Sequence, residues 1–174
     1  MTAWFTAPPL LRTERLTLGP VSPAHAEAFI AFCATEASRF LGGPAPRSDA
    51  WEGVARQAGQ WPLRGYGVFW VSRGETPVGR VGIYHPDRRS EPELTWVIYP
   101  EHQGQGYATE AARAARNWAY EAVGLAPLMS LIDERNTASV RVAEKLGAKV
   151  EAPHANPEGK PVLRWRHPGP EGAA

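Results

Sequence analysis

The sequence predicts a mixed α/β fold, a single domain around one sheet, and three observations carry that expectation. Leu94 to Tyr99 reads as a strand, and it is followed by a glycine turn and a strongly helical run, Thr109 to Ala122. Tyr66 to Ser72 and Val78 to Tyr84 alternate or run apolar around Arg73-Gly74-Glu75-Thr76-Pro77, the pattern of an antiparallel hairpin. The whole chain has 174 residues, 43% of them apolar, with seven Trp and no linker-like shift in composition, which suits one core. Strands and helices mixed in this way pack as layers on a shared sheet.

Taken in order, a strand is expected near Leu10 to Pro20, then a helix from Pro23 to Ala34. Pro23 suits a first helical turn, where its missing N–H would have no partner anyway. Gly and Pro concentrate from Leu41 to Pro46, after which Ser48 or Asp49 can cap a helix that Pro62 ends at Trp61. The hairpin and the strand Glu93 to Tyr99 follow, and Pro100, which cannot donate to a ladder, ends that strand. Beyond the long helix come a short strand at Leu128 to Ile132, a helix from about Ala138 to Leu146 stopped by Gly147, and strands near Ala148 to Ala152 and Val162 to Arg166. The sum is about six to seven strands and about four helices. Residues 8–167 form the domain, and the Pro/Gly-rich stretch 168–174 reads as a loose tail.

Composition excludes several function classes. Net charge is +1 and the basic residues are scattered, so neither nucleic acid nor a membrane surface is indicated as a partner. The single cysteine, Cys33, sits among Phe29, Ile30 and Phe32 and reads as a small buried hydrophobe. No apolar run reaches the ~20 residues of a membrane helix. Trp4 and Phe5 are not part of a cationic, then apolar, leader, and the protein is expected to be cytoplasmic. The five histidines are dispersed without His-Glu-x-x-His spacing, so no metal is expected, and His102 reads as a solvent-facing loop residue. Trp51, Trp61, Trp70 and Trp96 could line an acceptor pocket but are assigned to the core or its rim, Arg88 and Arg89 could meet a carboxylate but are assigned to loop solubility, and Glu14 and Arg15 are assigned to surface pairing.

The segment Gln103-Gly104-Gln105-Gly106-Tyr107-Ala108 lies between strand and helix. Glycine permits close backbone approach to a ligand, and the first N–H groups of a helix lack intrahelical partners, so donors converge on one place. A diphosphate suits such a cradle, helped by the helix dipole. A P-loop would need Lys and then Ser or Thr after the last glycine, where Tyr107 and Ala108 stand, and a dinucleotide fingerprint would put Gly or Ala at Thr109. The competing reading is a helix start whose glycines only turn the chain.

The pattern Gln, two residues, Gly, one residue, Ala resembles the acyl-CoA signature of the GCN5-related N-acetyltransferases, the GNAT superfamily. Asn136-Thr137-Ala138-Ser139 with the downstream Lys145-Leu146-Gly147 resembles the block that closes the cofactor groove there. Leu11-Arg12-Thr13-Glu14-Arg15-Leu16-Thr17-Leu18 resembles the opening strand of its RimJ/RimL-type branch, and together these blocks span most of residues 10 to 165.

The resemblance implies a strongly twisted sheet whose two central strands, the one ending at Ile98 and the one at Leu128 to Ile132, splay apart to admit pantetheine. It implies acetyl-CoA as acyl donor, held by Trp96, Val97 and Ile98 along the strand, by Gln103, Gly104, Gln105, Gly106, Tyr107, Ala108 and Thr109 at the turn, and by Asn136. An amine must lose a proton before it attacks, since a lysine amine has a pKa near ~10.4. Glu93, which alternation groups with Thr95 and Val97, matches the glutamate of the RimJ/RimL-type pattern and is the candidate base. Glu91 is the rival and reads mainly as a solvated edge residue. A tyrosine acid common in the superfamily has no counterpart among Val140, Val142 and Ala143, so Ser139 is the implied acid, with a helix-start hydroxyl as its other reading. The implied activity is transfer of an acetyl group to a primary amine, a protein or peptide α-amine in the first place and a small amine in the second. A CoA-binding sensor without turnover is the reading from another class. A homodimer is compatible with the resemblance and is not specified by the sequence.

Overall fold

The computed structural model describes residues 7–125, 127–155 and 159–172, so Trp4, Phe5 and the end of the tail lie outside the described residues. Among the described residues eight strands form one sheet in the order β1-β2-β3-β4-β5-β6-β8-β7. They are β1 (Leu11–Arg12), β2 (Thr17–Gly19), β3 (Val68–Arg73), β4 (Thr76–Tyr84), β5 (Glu93–Ile98), β6 (Met129–Ile132), β7 (Lys149–Ala155) and β8 (Pro161–Arg166). The helices are α1 (Pro23–Cys33), α2 (Arg47–Arg64), α3 (Tyr107–Trp118) and α4 (Thr137–Lys145).

Every pairing is antiparallel except β5 with β6. A parallel pair needs a crossover, and α3 supplies it. Those two strands pair at a single position, Glu93 with Met129, and the sheet is open beyond it. This fork is the splay that the resemblance implied.

The expected first strand is two short strands, because Thr13 turns the chain. Its hydroxyl accepts from the Leu16 amide at 3.0 Å, and its own amide donates to the Leu16 carbonyl. Helix α2 starts at Arg47 and continues past Pro62 to Arg64, one turn beyond the expected end. A proline near a C-terminus forfeits one backbone bond, and the helix closes instead at Gly65, whose amide donates to the Trp61 carbonyl. Glu36–Leu41, between the two expected helices, is a 3₁₀ helix.

Strand β7 at the edge of the sheet is exposed along its length, whereas the central strands are covered on both faces. On one, Ala111, Ala112, Ala115 and Ala119 lie fully buried against Phe69, Val81, Ile83 and Leu94. Small side chains let α3 come close to the strands. On the other, Phe29, Ile30, Phe32 and Cys33 of α1, with Ala50 and Val54 of α2, bury Trp70, Val97 and Tyr99. Cys33 is therefore the buried hydrophobe expected of it. Trp61 and Trp70 are core residues as expected, whereas Trp51 is 58% exposed on α2.

Candidate active site

Strand alternation places Glu93, Val97 and Tyr99 toward α1 and α2, and Leu94, Trp96 and Ile98 toward α3 and α4. Glu93 stands at the closed end of the fork, 7% exposed. Its Oε2 lies 3.0 Å from Arg89 Nη1, and its Oε1 accepts from the Leu131 amide across the fork at 3.4 Å. A buried carboxylate is costly unless paired, and Arg89 supplies the pair. The assignment of Arg89 to loop solubility is thereby corrected. Glu91, expected to be solvated, instead meets Arg166 at 2.7 Å and Arg164 at 3.3 Å. The hydrogen bond from Arg166 holds its carboxyl below the ordinary value despite partial burial.

On the opposite face Trp96 Nε1 donates to Ser139 Oγ at 3.3 Å, which joins β5 to α4. Asn136 is the N-cap of α4, and its Oδ1 accepts from the Ser139 amide at 3.2 Å. The capping role considered for Ser139 therefore falls to Asn136. Because the Ser139 oxygen accepts from Trp96, its own proton is free to be donated elsewhere. The fork is also braced at Leu94, whose carbonyl accepts from Ser130 Oγ at 2.6 Å.

Strand β5 leads through Pro100–His102 into the glycine turn. Gln103 turns back, and its Nε2 donates to the Ile98 carbonyl at 2.8 Å. Gly104 and Gly106 have φ of +77° and +82°, left-handed values that a side chain adopts at a cost of roughly 1–2 kcal/mol. Gly106 is the N-cap of α3 and no side chain caps it, so the first-turn amides of Tyr107, Ala108 and Thr109 meet no side-chain acceptor there. Gln105 lies between the two glycines and is exposed. The Tyr107 ring is buried under the Arg15 guanidinium, 4.8 Å away, so this residue offers the turn its backbone.

Arg15 pins the turn. Its Nη1 donates to the Gln105 carbonyl at 2.9 Å, and its Nε donates to Glu110 Oε2 at 2.7 Å. Burial pushes the Glu110 carboxyl up, but hydrogen bonds from Thr13 and Arg15, with the Arg15 charge, outweigh it and keep the pKa below its ordinary value. A groove of about 560 Å³ runs alongside, lined by Thr13, Arg15, Thr109, Arg113, Asn117 and Lys145 among others. Arg15 is thus the surface partner expected from the sequence, with its partner inside the turn motif.

Sequence reasoning missed Arg89 as the partner of Glu93, and it missed Arg80. Burial of Arg80 on β4 leaves it 7% exposed behind the Glu93 face. A charge inside the apolar run Val78 to Ile83 was the available signal. Among the described residues no group of His, Cys, Asp and Glu is arranged to hold a metal, and no helix is long and apolar enough to cross a membrane. His102, expected to face solvent, has its side chain 22% exposed and lies 4.0 Å from Glu101.

An open fork beside an uncapped helix start is the arrangement that the resemblance implied, and comparison with known proteins gives it a family. The model of the acetyltransferase (GNAT) domain matches residues 15–149, and the chain belongs to that family. An acetyltransferase from Agrobacterium tumefaciens strain C58 superposes with a TM-score of 0.85 at 36% identity, over 94% of this chain and 96% of that one. Spermidine N(1)-acetyltransferase of Escherichia coli K12 is 37% identical over 71 residues, 41% of this chain and 37% of that protein. For the first curated relatives the aligned stretch spans 37% to 60% of their own length. A RimL ribosomal L7/L12 α-N-protein acetyltransferase solved with coenzyme A shares the fold with a TM-score of 0.78 at 14% identity, over 93% of this chain and 99% of that one.

Proposed function

We propose that this protein transfers an acetyl group from acetyl-CoA directly to a primary amine. The observation that carries the reading is the fork between β5 and β6, which holds Glu93 at its closed end and leads at its open end to the turn with left-handed Gly104 and Gly106. Pantetheine lies along the open edge of β5 and pairs with backbone groups of Trp96, Val97 and Ile98, as an added strand pairs with a sheet. The diphosphate takes the amides that follow Gly104 and Gly106. Arg113 and Lys145 stand beyond the turn for the nucleotide end.

Glu93 removes a proton from the ammonium of the acceptor, directly or through water. The amine nitrogen then bonds to the thioester carbon, and a backbone N–H of β5 stabilises the charge on oxygen. When the carbon–sulfur bond breaks, the attacking nitrogen releases its remaining extra proton to solvent to give the neutral amide, and Ser139 donates its proton to the thiolate and recovers one from solvent. Glu93 and Trp96 leave β5 on opposite faces, so the base stands on the α1–α2 side and the Trp96–Ser139 pair on the α4 side. Such a division suits direct transfer without a covalent enzyme intermediate.

The opening-strand motif from Leu11 to Leu18 supports the RimJ/RimL-type branch and a protein or peptide α-amine as acceptor. Burial of the groups on the α1–α2 side favours a second reading, a small amine. Thiol release from acetyl-CoA, measured against panels of N-terminal peptides and small amines, tests both. Binding of CoA without release by any amine would leave a sensor and sink the enzymatic reading.

A further inference from the structure

Arg80 sits on β4 directly opposite Val97, with Tyr84 opposite Glu93 on the same pair of strands. Arg80, Tyr84, Glu93 and Val97 therefore share the face turned toward α1 and α2. The Arg80 guanidinium lies 5.2 Å from the Phe29 ring centre. Among the described residues it makes no hydrogen bond or ion pair, and its Nε is sealed from solvent without a partner. Tyr99, on the same face, has a buried hydroxyl that also lacks a partner. The titratable groups facing Arg80 are Tyr99, Cys33, Tyr84 and Glu93, and burial pulls its pKa below the ordinary value despite them.

An unpaired buried cation costs several kcal/mol, and an aromatic face returns about 0.5–2 kcal/mol. Packing alone does not explain it. Two orphaned donors on one face of the sheet are the complement of an anion, and a planar carboxylate fits the guanidinium fork. Arg80 and Glu93 are offset by four residues along the strands, about 13 Å between backbones, a gap that two long side chains shorten. The glycine turn and Ser139 belong to the α3–α4 side, so this anion enters with the acceptor.

We propose that Arg80 and Tyr99 form a carboxylate subsite on the Glu93 face of the sheet, beneath α1 and α2, and that the acceptor is a small amine carrying a carboxylate, of amino-acid size. This rests on the acetyl-transfer reading above and narrows its substrate class. With Glu93 at the amine end and Arg80 at the carboxylate end, a polyamine is disfavoured, since it would bring a second cation to Arg80.

The test compares amino acids with the amines that lack their carboxylate, using thiol release from acetyl-CoA. The carboxylate-bearing member of a pair should show a KM at least tenfold lower. Arg80→Met should raise KM at least tenfold more for that member than for its partner, and Tyr99→Phe should act in the same direction by about threefold. Thermal unfolding separates a structural role: Arg80→Met should hold or raise Tm, because it removes an unpaired buried charge. Equal kinetics within pairs would overturn the subsite, as would equal penalties in the variants. A discrimination that follows the acyl donor, seen as succinyl-CoA preferred over acetyl-CoA and lost in Arg80→Met, would overturn it too. If no amine releases thiol, the acetyl-transfer reading fails. Calorimetry of the amino acids against the protein–CoA complex, in wild type and Tyr99→Phe, then still decides whether the carboxylate binds here.

Discussion

Arg89 Nη1 lies 3.0 Å from Glu93 Oε2, with both side chains nearly buried at the point where β5 and β6 part. The loop that carries Arg89 therefore ends in the candidate site, and the carboxylate there is held by geometry rather than left to solvent. Glu93→Gln keeps the shape and removes the base. Amine-dependent thiol release should fall by about 10²-fold or more, with CoA affinity within twofold of wild type. Release at the wild-type rate would remove Glu93 from the mechanism.

Arg89→Ala tests the pair from its other side. Removing one partner of a buried ion pair is destabilising by about 3 kcal/mol, and urea unfolding should report a loss of that order. A stability unchanged from wild type would show that the pair is not needed to keep Glu93 buried.

Ser139→Ala should lower turnover with acetyl-CoA by about tenfold, because a CoA thiolate can also be protonated by water. The deficit should shrink with a thioester whose thiol is more acidic. A deficit independent of the leaving thiol would assign Ser139 to positioning. Trp96→Phe removes the donor to Ser139 Oγ and should give part of the same loss.

The glycine turn is tested by Gly106→Val, which forces a β-branched residue to φ near +82° at the N-cap of α3. Affinity for CoA should drop at least tenfold by calorimetry. Glu110→Gln weakens the Arg15 clamp on Gln105 and should have a smaller effect of the same kind.

His167 is fully enclosed at the end of β8, where its Nε2 meets Ser130 Oγ at 2.9 Å. Burial first, and the charges of Arg116 and Arg166 second, push its pKa down to about 3. The unfolded chain takes up this proton near pH 6.5, whereas the folded protein does not until about 3. Stability from this residue is complete above pH 6.5 and is lost as pH falls toward 3, with a slope of up to about 1.4 kcal/mol per pH unit. Urea midpoints measured from pH 7.5 to 4.5 should flatten in His167→Gln relative to wild type. Parallel curves would show that His167 does not contribute to acid lability.

Local signals made much of this fold legible. The turn after Tyr99 announced itself because glycine, helix formers and a proline stop each act over a few residues, and so did the hairpin around Gly74. The fork between β5 and β6 was reached through resemblance alone, since alternation says which way Glu93 points and nothing about where Met129 lies. Longer-range facts stayed hidden. Arg89 reads as a loop charge until the sheet brings Glu93 beside it, and Thr13 reads as part of one strand until its hydroxyl meets the Leu16 backbone. Pro62 misled for the opposite reason: one forfeited hydrogen bond near a helix end was outweighed by packing of Trp61 against Phe69 and Trp118.

A crystal structure of the protein saturated with CoA tests the central claim most directly. The diphosphate should lie within hydrogen-bond distance of the amides that follow Gly104 and Gly106, and the pantetheine should run along β5 between Trp96 and Ile98 with its sulfur toward Ser139. CoA seated elsewhere, or a fork left empty at saturating CoA, would contradict it.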